Sequence, residues 1–346
     1  MYIRISGRFT SQISVLTGSE NLGNYNTVAS ARVVVNIGGG YKQYEVPVLT
    51  GNALKHWHAV YLAQAYVSLN GKLLNEICER GIGLRGYKVD TKLSDNLKNK
   101  EAENEAEAIL DVCNDIHGFL LTTKQIKRDS LVKVSFASPV FNPDILEYTS
   151  RFAITHNRVD PLTRGSNQTQ MMVFKQEESS GPEFGFNISM NMNYVMKPMY
   201  TDDVEAIKEY LKKEKIDEEE ERKRRIKASI MAVSYLLTGV GSKQARSLGI
   251  LKPLELIAAI STKPLPNLIH GSYEDYVTSS ISLLNLYAKT YNETVYILCY
   301  NSNCQEQKSK EEGKQGTSGK LVITNETSID KFFEELINYA IGSNNK

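Results

Sequence analysis

Apolar and polar positions alternate at the start of the chain, with Ile3, Ile5 and, after Gly7, Phe9 predicting a strand. A polar, glycine-bearing loop, TSQISVLTGSENLGNYN, follows it. The β-rich runs ARVVVNI and YKQYEVPV, separated by Gly38, Gly39 and Gly40, carry a hairpin signal. A helix then begins near Thr50. Residues 70–118 read as a helical insertion on the surface, because NKEAENEAEAILDVCNDIHG is rich in helix formers and has an apolar stripe only at its end. Two strands, LVKVSFASPV and LEYTSRFAITH, precede a long polar excursion, NRVDPLTRGSNQTQ. Phe184, Phe186, Ile188, Met190 and Met192 keep period two, which predicts a strand with one buried face. Its expected partner is residues 171–176, across a turn at ESSGPE, as a protruding hairpin.

Residues 201–237 are helical in pattern, with IDEEEE followed at once by RKRRIKASIMAVSYLL. The remainder predicts a strand (LELIAAIS), a helix (SYEDYVTSSISLLNLYAKTY), a strand (ETVYILCY), a polar loop, a short strand and a terminal helix. Strands and helices recur with long excursions between them, and no internal repeat is evident. The pattern predicts one α+β sheet-and-helix core with insertions.

Charge alters this picture only locally. With 41 Lys and Arg against 40 Asp and Glu in 346 residues, an anionic partner must be held by patches and not by a global field. The clearest basic tract lies after Glu221, where no acidic residue occurs before Glu255. Cys78, Cys113, Cys299 and Cys304 include no second CxxC-like pair, so neither a zinc site nor a disulfide framework is expected. Isolated thiols in a reducing cytosol are the expectation. The first residues lack a basic region followed by an apolar run, and no stretch is long enough to span a bilayer. An intracellular, cytoplasmic protein without a membrane segment is expected.

Four stretches carry candidate chemistry. In PVLTGNALKHWHAVY, His56 and His58 lie about 200° apart on a helix and cannot share a metal. His58 falls beside Leu54 and Leu62, as a hydrogen-bonded core histidine would. The helix start itself suits a phosphate: Thr50 or Asn52 can cap, Gly51 lets a ligand approach the backbone, and Lys55 adds charge beside His56. An ordinary capped helix accounts for the same residues. In LLTGVGSKQARSLG, Gly239 and Gly241 precede Lys243, Gln244 and Arg246, a loop able to contact anionic oxygens without matching a Walker or dinucleotide turn. A helix end followed by a turn explains it equally well.

The third stretch, GSNQTQMMVFKQ, combines Gln168, Met171, Met172 and Lys175, groups that can hydrogen-bond, wedge between bases and pair with phosphate. Met and aromatic residues in a strand also belong to cores. The fourth, TTKQIKRDSLVKV, supplies Lys124, Lys127, Arg128 and Lys133, for which a solvated basic face is the plain alternative. One polyanion track explains all four together better than four coincidences do.

In order and spacing, GSENLGNYN, VPVLTGNALKHWHAVY, QMMVFKQ with FGFNISMNM, and LLTGVGSKQAR resemble the backbone subunit of type I CRISPR Cascade complexes. That is Cas protein family seven, in its DevR-like archaeal branch. The resemblance implies a modified ferredoxin-like or RRM-like palm, an inserted helical fingers region and a β-hairpin thumb. On that plan residues 1–69, 121–155 and 184–300 make the palm and its helices, 70–120 the fingers, 156–183 the thumb, and 301–346 a loop and terminal helix.

It also implies a non-catalytic scaffold without cofactor or metal, forming a helical homo-oligomer on CRISPR guide RNA. Target DNA would be met by way of the guide, and other Cascade subunits would bind the assembly. Thr50 to His56, with Asn21 and Asn24, would line the RNA groove; Gly239, Gly241, Lys243, Gln244 and Arg246 would clasp the backbone; Met171 and Met172 would form the wedge. Related type III subunits cut RNA with an aspartate in the loop after the first strand. Residues 11–29 hold Glu20 and no Asp, so an endoribonuclease centred on Glu20 or His56 is the rival expectation.

Overall fold

The computed structural model describes residues 1–14, 16–23, 25–159, 170–201, 203–239, 248–302, 304 and 319–342, with backbone alone at 19–22, 156–159 and 170–174. Strand β1 (Tyr2–Ser14) leads into β2 (Gly18–Leu22) and β3 (Tyr25–Val28), then the hairpin β4 (Ser30–Asn36) and β5 (Tyr41–Pro47), then helix α1 (Gly51–Ser68). Short helices α2 (Glu76–Glu79), α3 (Glu105–Ala108) and α4 (Val112–His117) punctuate the next segment. The ribbon β6 (Phe119–Leu121) and β7 (Ile126–Arg128) follows, then β8 (Val132–Val134), β9 (Ser138–Pro139), α5 (Pro143–Tyr148), β10 (Ser150–Val159) and the long β11 (Gln170–Asn191). The last third holds α6 (Val204–Lys213), α7 (Glu218–Gly239), β12 (Ile250–Ser261), α8 (Tyr276–Tyr291), β13 (Val295–Tyr300), β14 (Leu321–Glu326) and α9 (Ile329–Ile341).

Ten strands form one mixed sheet in the order β14-β13-β12-β1-β11-β3-β2, with β8, β9 and β10 also pairing on β11. The period-two pattern of β1 sorts its side chains between two faces. Ile3 and Ile5 enter the main core with Ile188 and Met190 of β11, Leu62 and Tyr66 of α1, Ile230 and Val233 of α7, and Phe332 of α9. On β12, Ala258 and Ile260 join this core, while Ile257 and Ala259 join a second one with Tyr276 and Leu284 of α8. The chain is therefore α+β, with helices on both faces of the sheet.

Along β1, Arg4, Ser6 and Arg8 face away from the main core and hold a strap formed by residues 262–275. Arg4 Nη2 donates to Leu265 O (2.9 Å), Ser6 Oγ to Ile269 O (2.8 Å) and Arg8 Nε to Gly271 O (2.8 Å). Each bond satisfies a carbonyl that loop geometry leaves without a ladder partner. Gly185 is required beneath the strap, because a Cβ there would collide with the backbone of Gly271 and Ser272.

Three expectations about elements need correction. The thumb turn does not fall at ESSGPE: β11 runs unbroken through it and pairs antiparallel with β10, Ser150 opposite Ser180 and Val159 opposite Gln170. Pro182 is accommodated where the β1 register shifts, between the Phe9–Phe184 and Ser11–Gly181 pairs, as a bulge tolerates a missing N–H. β10 ends at Val159 and β11 begins at Gln170, and what joins them lies outside the described residues.

Nor is residues 70–118 a surface helix. Asn75, Asn104 and Asp111 cap separate short helices, and Ile77, Ala102, Ile109, Val112 and Ile116 are no more than 1% exposed. Side-chain oxygens that accept from the backbone stop a helix before propensity can extend it. Finally, the cysteines are not isolated: Cys78 pairs with Cys113 (Cα–Cα 6.1 Å) and Cys299 with Cys304 (6.3 Å) as disulfides. Sequence spacing alone does not reveal that α2 and α4 lie side by side.

Candidate nucleic-acid interface

Thr50 caps α1 as expected, its Oγ1 accepting from Ala53 N at 3.3 Å. The first turn contains no acidic residue, so nothing on the helix itself offsets its positive end. Thr50 N donates to Thr17 Oγ1 at 2.9 Å, which fixes the loop after β1 to the helix tip. That loop in turn reaches the ribbon: β3 runs parallel to β11 at Lys175 and Gln176, and Asn26 Nδ2 donates to Gln176 Oε1 at 3.2 Å. Helix tip, loop and ribbon base are thus one connected corner.

The described residues on either side of the glycine-bearing stretch 240–247 reach it. Tyr61 of α1 donates its hydroxyl to the carbonyl of Gly239, the last residue of α7. Beyond the bend, Ile250 pairs with Gln12 near the end of β1. Gly241, Lys243, Gln244 and Arg246 lie outside the described residues, as do Asn24 and Gln168. Asn21 sits on β2 opposite Asn26, and Met171 and Met172 sit on β11 opposite β10, in each case placed by the backbone alone. Lys175 is exposed and Asn52 is exposed at the helix start.

Gly51 has a different role from the expected one. A Cβ there would come within 2.5 Å of Val134 O, so the glycine is required for the packing of α1 on β8. His56 is half-buried, edge-on to Trp57, and it faces the segment from Gly81 to Arg85. His58 is a core histidine, as expected. Its Nε2 lies 3.0 Å from Ser229 O and its Nδ1 3.0 Å from His117 Nε2. Since Ser229 O only accepts, His58 carries its proton on Nε2 and accepts from His117 through Nδ1. Burial pushes His58 down to about 4 and holds His117 well below the usual imidazole range.

The basic residues divide sharply by burial. Arg128 is withdrawn from the expected RNA-facing set: its fully buried guanidinium bonds Glu105 (2.9 Å) and Asp115 (2.6 Å). Arg225 is equally buried against Asp115 (2.8 Å) and Glu221 (2.9 Å). Arg222 and Arg224 donate to the carbonyls of Met192 and Leu69. The three arginines Arg222, Arg224 and Arg225 of the basic tract therefore tie α7 to its neighbours. A guanidinium with five donors suits such a junction better than an ammonium does.

Lys55, Arg85 and Lys133 behave differently. None forms a salt bridge among the described residues. Burial holds the Lys55 ammonium below its ordinary pKa, and the nearby charges of Arg85 and Lys133 lower it further. Arg85 is also lowered by burial and donates to His117 O at 3.3 Å. Lys55, Arg85 and Lys127 line one open cavity of about 380 Å³, and Lys133 lines another of about 210 Å³. Lys127 is exposed, its ammonium 4.6 Å from the centre of the Tyr200 ring. Asp129 also lines the larger cavity, where cations outnumber the carboxylate, and such an excess is what an anionic strand would neutralise. Sequence reasoning missed Arg85, whose only signal is its place in the glycine-punctuated run GIGLRG.

Cys78, Asp111 and Cys113 come within 4.8 Å of one another, but the two sulfurs are joined to each other. Burial raises the Asp111 carboxyl to about 6. No helix among the described residues is long and apolar enough to cross a membrane.

A family model described as the CRISPR-associated negative auto-regulator DevR/Csa2 matches residues 5–281. A CRISPR-associated protein Cas7/Cst2/DevR of Thermoproteus tenax is 45% identical, over 98% of this chain and 96% of its own. One from Methanocaldococcus jannaschii is 34% identical, over 81% and 87%. A Saccharolobus solfataricus protein, described as a CRISPR-associated aCascade subunit Cas7/Csa2, is 25% identical over 81% and 86%. A solved chain of a CRISPR RNA-guided surveillance complex, pre-nicking, covers 98% of this chain and all of its own, at 13% identity and a TM-score of 0.46. On the family match and the two closer of these sequences, this chain belongs to the DevR/Csa2 family of CRISPR-associated proteins.

Proposed function

We propose that this protein is a non-catalytic RNA-binding backbone subunit of a Cascade effector complex. It polymerises along CRISPR guide RNA in the cytoplasm and presents the guide for pairing with target DNA. The observation that carries this reading is the group of Lys55, Arg85 and Lys133, which form no salt bridge among the described residues, with Lys55 in the first turns of the helix whose tip, loop and ribbon make one corner. Phosphate contacts of this kind position a strand without reading it, while base pairing by the guide supplies specificity.

The palm is a modified ferredoxin-like or RRM-like unit, a reading supported by strand order. β12, β1 and β11 are neighbours with β8 and β9 on the far side of β11, and α1 and α7 supply the two crossovers. Residues 70–120 act as fingers and the β10–β11 ribbon as the thumb, with Met171 and Met172 as its wedge. Lys243 and Arg246 clasp the strand from the bend that leaves α7.

The test is binding of single-stranded RNA across a salt series. Replacing Lys55 and Arg85 with Ala lowers affinity about tenfold for each charge-assisted hydrogen bond to phosphate that is removed. It also reduces the slope of log K against log salt by about 1.4, for two phosphate contacts on a single strand. Lys243→Ala with Arg246→Ala has the same direction. Unchanged affinity and slope in both double variants refute the reading.

A further inference from the structure

Cys78, Asp111 and Cys113 form a donor cluster that RNA binding leaves unused. Their two sulfurs and a carboxylate oxygen lie within 4.8 Å of one another, and all three residues are buried. The caps of two helices bring them together. Asn75 caps α2 by accepting from Cys78 N at 2.9 Å, and Asp111 caps α4 by accepting from Asn114 N at 2.9 Å. Asp111 Oδ2 also accepts from Asn75 N at 2.8 Å, which ties one cap to the other.

Capping occupies one lone pair on each Asp111 oxygen and leaves others open, since an ionised carboxylate offers about four. Backbone N–H bonds of this kind orient a carboxylate towards a metal, as outer partners of metal ligands do. Asp111 forms no salt bridge among the described residues, although it is fully buried. A cavity of about 10 Å³ borders both cysteines, with His56 and the run from Gly81 to Arg85 among its other walls. That is close to the room one water needs.

We propose that, once the Cys78–Cys113 bond is reduced, these three residues bind a zinc ion that takes the place of the disulfide between α2 and α4. A dithiol opens the bond: it gives two electrons and two protons to the paired sulfurs, leaving two thiols, and closes its own disulfide. Zinc binding then releases both thiol protons, because the thiolate is the ligand. A water in the cavity completes the tetrahedron that zinc favours. Two thiolates and a carboxylate exceed the charge of the ion by one, and Arg85 on the cavity wall offsets the excess. Two sulfurs on one zinc stand about 3.8 Å apart when each Zn–S bond is about 2.3 Å. Cα atoms 6.1 Å apart accommodate that spacing once the sulfurs rotate apart.

The experiment titrates the full chain with cobalt(II), a spectroscopic substitute for zinc, in its disulfide form and after reduction by a phosphine. The phosphine is oxidised to its oxide, with water supplying the oxygen and the two thiol protons. Thiol counting verifies each starting form. The reduced chain takes up one equivalent of cobalt, with the sulfur-to-cobalt charge-transfer band of two thiolates and the strong d–d absorption of a four-coordinate ion, and zinc displaces it. The disulfide form shows neither band. Asp111→Asn, which keeps a capping oxygen, weakens cobalt binding about tenfold or more. Cys299→Ser with Cys304→Ser leaves it unchanged, because no other group of three such donors occurs among the described residues. Zinc also raises the melting temperature of the reduced chain and not that of the disulfide form. The site is overturned if the reduced, unaltered chain lacks the charge-transfer band, a comparison that needs no variant to fold. Persistence of the band in folded Cys78→Ser with Cys113→Ser, or cobalt affinity unmoved by Asp111→Asn, overturns it equally. RNA binding is untouched by any of these results.

Discussion

Arg128 and Lys127 are neighbours in sequence and opposites in the fold. Lys127 extends into solvent over Tyr200, while Arg128 is fully buried between Glu105 and Asp115. Removing one member of a buried charged network strands the others, at a cost of about 3–5 kcal/mol. Arg225→Met therefore lowers unfolding free energy by about that amount, read from a denaturant midpoint, because Asp115 and Glu221 lose their shared partner. Arg128→Ala behaves similarly, and its folded fraction binds RNA as the unaltered protein does. A specific loss of RNA affinity by folded Arg128→Ala would show that the residue reaches the strand after all.

The histidine pair sets a pH dependence at the same scale. His58 titrates at about 4 in the fold and at about 6.5 in the unfolded chain. The unfolded chain takes up the proton first, so stability is complete above about pH 6.5 and declines as pH falls towards 4, by up to about 3 kcal/mol. Denaturant midpoints at pH 7 and pH 4.5 measure the decline, and His58→Gln reduces it, leaving the part that buried His117 contributes. Midpoints that do not differ between the two pH values contradict the buried neutral pair.

At the scale of elements, the segment between α1 and β6 depends on its disulfide. Cys78 and Cys113 are 35 residues apart, and they join α2 to α4 beside the loop that carries Arg85. Closing a loop of that length restricts the unfolded chain by about 4 kcal/mol, against about 2 kcal/mol for the short Cys299–Cys304 loop. Cys78→Ser with Cys113→Ser should therefore lower thermal stability more than the Cys299 and Cys304 pair of substitutions. Peptide mapping without reductant should recover both cross-links; free thiols at all four positions would refute the pairing. The strand pattern at 184–192 was legible because period two survives when one face is buried. The ribbon turn was not, because Gly181 and Pro182 are turn residues by chemistry and become a bulge only where β1 supplies the partner.

At the scale of the whole molecule, polymerisation along RNA is the property the proposed function requires. Sizing the chain with RNAs of increasing length should give species that grow in steps, each adding one 38.8 kDa protomer. A single size at every RNA length would argue against a repeating backbone. The sheet is compatible with such a role because it brings β1, α1, β11 and the start of β12 to one corner, so residues far apart in the chain share one surface.

The sequence by itself determined the α+β class, the N-cap of α1, the core role of His58 and the family resemblance, all of which depend on local pattern or short motifs. The tertiary structure alone decided which basic residues are held internally, that β11 runs unbroken through Gly181 and Pro182, and which cysteines meet. Burial of a charge and proximity of two thiols depend on contacts between segments tens of residues apart. Local propensity carries no record of such contacts.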